Sequence, residues 1–338
     1  MKKILLLQTG GTIAMQPDIN GPELQPEKWR DLLHKEIPEL SKLASLDVKK
    51  VFFEDSSDIN RHHWKQLAGF IFERYDAYDG FVVLHGTDTM AYTASALSFA
   101  LRNITKPVIF TGSQVPMSNI RSDARRNLVN AVELATHPLR EIAICFNDHL
   151  YRGNRSTKMS IGDFDAFTSP NFPLLAEIGL EIKWFRQGTS GNKTFEYNPE
   201  FDDALHVIKL HPNLNPRQLN YLEPDQTKAV ILEAFGSGNM PMKGEYNLMP
   251  FIKSCREKNV HVIITSQAAY DAVDLNQYAS GKEALKLGAL SAGEMTMEAT
   301  ITKTMHLLGL GLADDEFNSQ FMANLSGERN SRETGADL

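Results

Sequence analysis

The chain has 338 residues, 42% of them hydrophobic and 23% charged, with a formal net charge of −7. That balance excludes a disordered chain, and mild acidity without a run of Lys or Arg argues against nucleic acid as a partner. At ~100–200 residues per domain, the length predicts two domains, each able to bury its own core.

Met1-Lys2-Lys3 is followed by only four apolar residues, Ile4 to Leu7, before Gln8. A secretory signal needs an apolar stretch of ~7–15 residues, so this segment reads as a first buried strand. No segment approaches the ~20 apolar residues of a membrane span, which predicts no membrane partner. Cys145 and Cys255 stand far apart and form no metal knuckle. Isolated cysteines fit a reducing compartment, and the cytoplasm is the expected location.

Short apolar runs predict strands at Ile4–Gln8, Val48–Phe53, Gly80–His85, Val108–Gly112 and Glu141–Phe146. Between them, Arg61–Tyr75 places Trp64, Leu67, Ala68, Ile71 and Tyr75 on one helical face, with Asn60 positioned to cap its start. Met90–Leu101 and Asp123–Thr136 read as further helices. Strands that are apolar throughout, joined by helices, imply a flavodoxin-like parallel sheet covered on both faces. Residues 187–205, rich in turn formers, read as a linker between an N-terminal catalytic domain (1–186) and a smaller C-terminal parallel-sheet domain (206–338). There Val207–Leu210, Ala229–Phe235 and Val260–Thr265 are expected strands. Helices are expected near Leu248–Lys258, Gly281–Gly288 and Met297–Leu308. The polar end, Gly327 to Leu338, is expected to fray.

Ligands of open parallel sheets bind outside the carboxyl ends of the strands, where free backbone groups meet helix N-termini. Two such ends look alike. The first strand closes in Thr9-Gly10-Gly11-Thr12, and the third in His85-Gly86-Thr87-Asp88-Thr89, directly before a helix. Each turn presents a threonine hydroxyl, and two such turns are able to face one another across a crevice. Alone, either motif also reads as a tight turn or a helix cap. Gly-x-Gly-x-x-Gly and Gly-Lys-Ser/Thr are both absent, which disfavours a dinucleotide or a nucleoside triphosphate. His62-His63 is expected to face solvent at a helix start, and His85 to orient neighbours. No His/Cys spacing supports a metal, and no cofactor is expected.

Taken in order, Thr9-Gly-Gly-Thr12, Asp55-Ser-Ser-Asp58, Leu84-His-Gly-Thr-Asp-Thr-Met-Ala-Tyr-Thr93, Thr111-Gly-Ser-Gln-Val-Pro116 and Tyr151-Arg-Gly-Asn-Arg-Ser-Thr-Lys158 resemble the bacterial-type L-asparaginases, most of all the cytoplasmic, type I branch. Gly236-Ser-Gly-Asn-Met-Pro241 and Gly293-Glu-Met-Thr-Met-Glu298 extend the resemblance into the second half. The resemblance implies hydrolysis of L-asparagine through an acyl-enzyme on Thr12, with action on L-glutamine as a side or main activity whose share the sequence leaves open. Thr87, Asp88 and Lys158 form the second catalytic cluster in that scheme. Asp55, Ser56, Ser57 and Asp88 bind the amino-acid zwitterion, while Ser113 and Gln114 line the pocket, mostly through backbone groups. A threonine hydroxyl is a poor nucleophile and needs an adjacent base or a charge to activate it. Which threonine attacks first is taken from the resemblance alone. It also implies a homodimer, or dimers paired into a tetramer.

Two departures stand out. The loop after Thr12, Met15 to Leu24, lacks the tyrosine many relatives carry there, which leaves the proton acceptor open; Tyr278 is a candidate substitute, with packing as the alternative. Glu233 and Ala268 occupy positions where some cytoplasmic members place an effector-binding arginine and a cysteine. A carboxylate repels the effector's own carboxylate, so no allosteric regulation is expected. Two other readings compete with hydrolysis of a free amino acid. A component of a tRNA-dependent amidotransferase usually carries an added N-terminal domain, for which a strand starting at residue 4 leaves no space. A non-catalytic amino-acid sensor would have lost Thr12, Thr87, Asp88 or Lys158, and all four are present.

Overall fold

The computed structural model describes residues 1–14, 33, 35–186, 194–219 and 226–330. The chain separates into two compact units, Met1–Pro199 and Glu200–Leu338.

In the first unit β1 (Lys3–Gly10), β2 (Ser45–Glu54), β3 (Gly80–Leu84), β4 (Val108–Thr111) and β5 (Ile142–Phe146) are parallel neighbours in the order 2-1-3-4-5. That order reverses direction between β1 and β3, and such a switch point opens a crevice at the strands' carboxyl ends. From Ile4 onward β1 is buried, as is all of β3, because both faces of these strands are covered. The outer strand β2 is largely half-exposed and carries Lys49 and Lys50, as suits an edge.

Helix α1 (Arg61–Arg74) buries Trp64, Leu67, Ala68 and Ile71, the stripe its period predicts. Asn60 caps it, and the side chain of His63 accepts from the Asn60 backbone N–H to complete a capping box. His63 is therefore a cap and not a solvated side chain; only His62 of the pair is exposed. Helix α2 (Met90–Ala100) is buried on nearly every side, and its run of Ala and Ser lets neighbouring backbones approach. Helix α3 (Ala124–Ala135) packs Ala124, Leu128 and Ala131 against the face of the sheet formed by Ile4, Leu6, Val82 and Ile109.

The sheet continues beyond the parallel strands. β6 (His149–Arg152), β7 (Ala176–Ile178) and β8 (Ile182–Trp184) extend it antiparallel from β5. Asn147 makes the β5–β6 turn at φ 54°, a left-handed conformation that asparagine tolerates. Residues 187–193 of the expected linker lie outside the described residues. Glu196–Tyr197, further along it, forms a short strand against Leu101–Arg102.

The second unit carries a parallel sheet of β9 (Leu205–Lys209), β10 (Ala229–Ala234), β11 (His261–Ser266) and β12 (Leu290–Ser291). It is packed by α4 (Met249–Glu257), α5 (Ala279–Lys286), α6 (Met297–Gly309) and α7 (Asp314–Met322). The tail corrects the sequence expectation. Residues 331–338 lie outside the described residues, but Glu328 and Arg329 are buried, not frayed. Glu328 meets Lys303 of α6 at 2.5 Å with both side chains at 0% exposure, and it accepts the N–H groups of Leu325 and Ser326. A buried carboxylate persists only with such partners.

Candidate active site

Three strand-end turns meet at the β1/β3 switch point, held in register by glycines. A β-carbon on Gly10 would lie 2.0 Å from the carbonyl oxygen of Glu54 at the end of β2. One on Gly11 would lie 2.5 Å from the backbone nitrogen of Gly86, so the two threonine-bearing turns touch backbone to backbone. Both glycines also have positive φ, 118° and 86°. Thr12 follows in a 3-10 turn, half-buried, on one side of that contact. On the other side Thr87 and Asp88 open the turn that leads into α2.

Lys158 arrives from a different part of the chain. After β6 the buried segment Gly153–Ser156 leads into a short hairpin, in which Thr157–Lys158 pairs with Phe167–Thr168. The Lys158 Nζ donates to Thr87 Oγ1 at 2.8 Å and to Asp88 Oδ1 at 2.6 Å. The lysine side chain is 14% exposed and the Asp88 side chain 67%. Asp88 thus offers an open carboxylate to an incoming cation, while its lysine partner is sheltered.

The Asp55–Ser57 loop lies against the same turn. Thr89 Oγ1 donates to the Ser56 carbonyl at 2.7 Å, and Ser56 Oγ sits 2.6 Å from where a Gly86 β-carbon would be. Ser56 is buried, whereas Asp55 and Ser57 are exposed. The Asp55 carboxylate accepts the Ser57 N–H and hydroxyl, both at 2.8 Å, which holds its carboxyl below the usual carboxylate range. The loop thus caps its own 3-10 turn and packs on the Gly86–Thr89 turn. Ser113, which follows β4, is buried, and its Oγ has no hydrogen-bond partner among the described residues.

His85 is fully buried; its Nδ1 lies 2.7 Å from the Gly86 carbonyl, and burial pushes the ring down to about 4. Burial thus favours the neutral ring, which tethers the turn. Gln114 departs from expectation. Its side chain, and not only its backbone, reaches the cluster, because Thr87 Oγ1 lies 3.2 Å from Gln114 Oε1. The Gln114 N–H is held in turn by Asp123 at the start of α3. The sequence signal is Ser-Gln directly after a strand, but a contact across 27 residues leaves no trace in local spacing.

Among the described residues, no group of three or more His, Cys, Asp or Glu is placed to hold a metal ion. No described helix is long and apolar enough to cross a membrane. The expected loop Met15–Leu24 lies outside the described residues. Tyr278 is 44% exposed at the start of α5, Glu233 pairs with Lys209 at 3.3 Å, and Ala268 is exposed.

A doubly wound sheet with a hydroxyl, ammonium and carboxylate gathered at its switch point, and a second parallel sheet behind it in the chain, defines a two-unit α/β enzyme for a small polar substrate. Residues 3–190 match the family model "Asparaginase, N-terminal", and residues 205–321 match "Glutaminase/Asparaginase C-terminal domain". L-asparaginase 1 of Escherichia coli is 36% identical over 97% of this chain and 98% of its own length. The thermostable L-asparaginase of Thermococcus kodakarensis superposes with a TM-score of 0.90, at 35% identity over 97% of this chain and 99% of that one. L-asparaginase I of Vibrio cholerae superposes with a TM-score of 0.86, at 34% identity over 98% of this chain and 99% of that one. The chain belongs to the asparaginase family and is an amidohydrolase of that class.

Proposed function

We propose that the chain hydrolyses L-asparagine to L-aspartate and ammonia through an acyl-enzyme on Thr12. One observation carries this reading. The Lys158 ammonium bridges Thr87 Oγ1 and Asp88 Oδ1 at the switch point, on the turn that touches the Thr12 turn through Gly11.

In this scheme the Thr12 hydroxyl oxygen attacks the side-chain carbonyl carbon. The carbon–nitrogen bond then breaks; the hydroxyl proton leaves with the departing nitrogen as ammonia, and an ester remains on Thr12. Water activated by the Thr87–Lys158 pair attacks the ester, frees aspartate and restores the hydroxyl. Backbone N–H groups of the two glycine turns stabilise the oxyanion. Asp88 takes the substrate's α-ammonium, and the Ser56 hydroxyl, joined by that of Ser57 once it turns from Asp55, takes its carboxylate, a complementary arrangement for a zwitterion. Asp55 sets that loop, and Ser113 closes the pocket floor. The catalytic domain is residues 1–186, joined by 187–205 to a second domain at 206–338, and the enzyme works as a homodimer or tetramer. Its two cysteines are free and buried, which suits the cytoplasm.

L-Glutamine, longer by one methylene, is a weaker substrate, since one methylene is worth ~1–3 kcal/mol in a pocket. Ammonia release from the two amides, measured side by side, tests the proposal. It predicts a kcat/KM for asparagine about 10- to 200-fold above that for glutamine. No release from either overturns it.

A further inference from the structure

We infer that Gln114 is a positioning residue that fixes the direction of the Thr87 hydroxyl proton and anchors the hairpin that delivers Lys158. The inference rests on the proposed role of the Thr87–Lys158 pair and goes beyond it. A threonine hydroxyl has one proton to give and two lone pairs to receive with. Lys158, a donor with no acceptor capacity while charged, already occupies one lone pair of Thr87. The hydroxyl proton must therefore point elsewhere, and Gln114 Oε1 stands 3.2 Å away to take it.

The orientation of the Gln114 amide is set from its other end. Its Nε2 donates to the Asp163 carbonyl at 3.1 Å and lies 3.5 Å from the Ser160 carbonyl, so the oxygen has to face Thr87. Both carbonyls belong to the tip of the hairpin whose first strand, Thr157–Lys158, carries the lysine. Ser160 Oγ caps the tip by accepting the Asp163 N–H at 3.0 Å. The backbone beneath Gln114 is also fixed. Asp123 accepts the N–H groups of Gln114 and Val115 and is joined by Asn127 Nδ2, which in turn donates to the Gly112 carbonyl. One side-chain amide thus joins the end of β4, the threonine turn and the lysine hairpin.

With Gln114 as acceptor, the Thr87 proton is held away from Lys158 in the resting site, and Lys158 must lose its own proton before the hydroxyl can turn toward it. With Gln114 as donor, the hairpin keeps Lys158 in reach of both Thr87 and Asp88. Replacement by methionine removes both functions at nearly the same length. Replacement by glutamate keeps the acceptor, removes the donor and places a negative charge beside the cluster.

The test is the pH profile of kcat for asparagine in wild type, Gln114→Met and Gln114→Glu, with circular dichroism and thermal melting to confirm folding. Gln114→Met is expected to lower kcat about tenfold, equivalent to ~1.4 kcal/mol, with KM changed less than about twofold. Gln114→Glu is expected to move the acid limb of kcat to higher pH, because the added carboxylate favours the protonated pair. Wild-type kcat and pH profile in Gln114→Met overturn the inference, as does a Gln114→Glu profile with an unshifted acid limb. Gln114→Asn supplies the same kcat comparison should either variant fold poorly. Thr87→Val, assayed alongside, separates the two levels: full activity there defeats the Thr87–Lys158 reading itself, whatever Gln114 does.

Discussion

Substitution of Gly11 by alanine probes the contact on which the site depends. The added β-carbon would lie 2.5 Å from the Gly86 nitrogen and 2.8 Å from both the Gly86 Cα and the His85 carbonyl carbon. All three are backbone atoms and cannot swing aside as a side chain would. The residue also sits at φ 86°, where a non-glycine residue costs ~1–2 kcal/mol. Overpacking in a region without slack adds ~1–3 kcal/mol, so the total destabilisation is about 2–5 kcal/mol. Gly236 supplies the control. It has a positive φ of 47° but open space around the added carbon, so its alanine variant pays only the backbone cost. Relief of the Gly11→Ala clash requires the Thr12 turn to part from the Thr87 turn. A displacement of ~1 Å in a catalytic group costs on the order of 100-fold in rate. Thermal melting and kcat/KM for ammonia release from asparagine read the two effects separately. Gly11→Ala should melt below Gly236→Ala and lose about 100-fold in kcat/KM. Equal activity in the two variants refutes the claim that the turns must touch.

Glu328→Gln removes the counter-charge of a fully buried lysine, which costs ~3–5 kcal/mol, and should lower the melting temperature of the second unit by roughly 10 °C; a melt within about 1–2 °C of wild type contradicts this. Burial opposes ionisation of Glu328, but the Lys303 ammonium and the backbone N–H groups of Leu325 and Ser326 prevail and hold its carboxyl below the usual range. A carboxyl depressed in the folded state stabilises above the unfolded value of ~4.3, and that contribution is lost as pH falls through the folded value. The wild-type melting advantage over Glu328→Gln should therefore shrink on acidification below about pH 4. Glu233 pairs with Lys209 and supplies no cation for an effector carboxylate; initial rates against asparagine are expected to follow a hyperbola, and a sigmoidal curve contradicts that expectation.

The parallel core was legible because its physics is local. Ile4–Leu7 and Phe81–Leu84 are apolar in succession because both faces of the sheet are covered, and the stripe from Trp64 to Ile71 declares its helix by period alone. The antiparallel strands β6 to β8 went unread for the opposite reason. They are three or four residues long and mix Tyr, Arg, Glu and Lys with apolar residues, too short for a period to show. The tail misled because its polar residues looked solvated, while the burial of Glu328 depends on Lys303, 25 residues earlier in the chain. Within the site, Thr12, Thr87 and Asp88 sit on turns whose glycines announce them. Lys158 has no such local signal, since its place beside Thr87 depends on a hairpin that returns from the far end of β6. Gln114 was legible as a residue at a strand end but not as a partner of Thr87.

A covalent ester on Thr12 is the intermediate on which the proposed reaction depends. Wild-type enzyme mixed with saturating asparagine, quenched in acid during turnover and digested, tests it by mass spectrometry of the peptide that spans residues 3–14. An aspartyl ester on Thr12 is expected in the wild type, with neither adduct nor ammonia release in Thr12→Ala. An adduct on Thr87 instead, or wild-type turnover in Thr12→Ala, contradicts it.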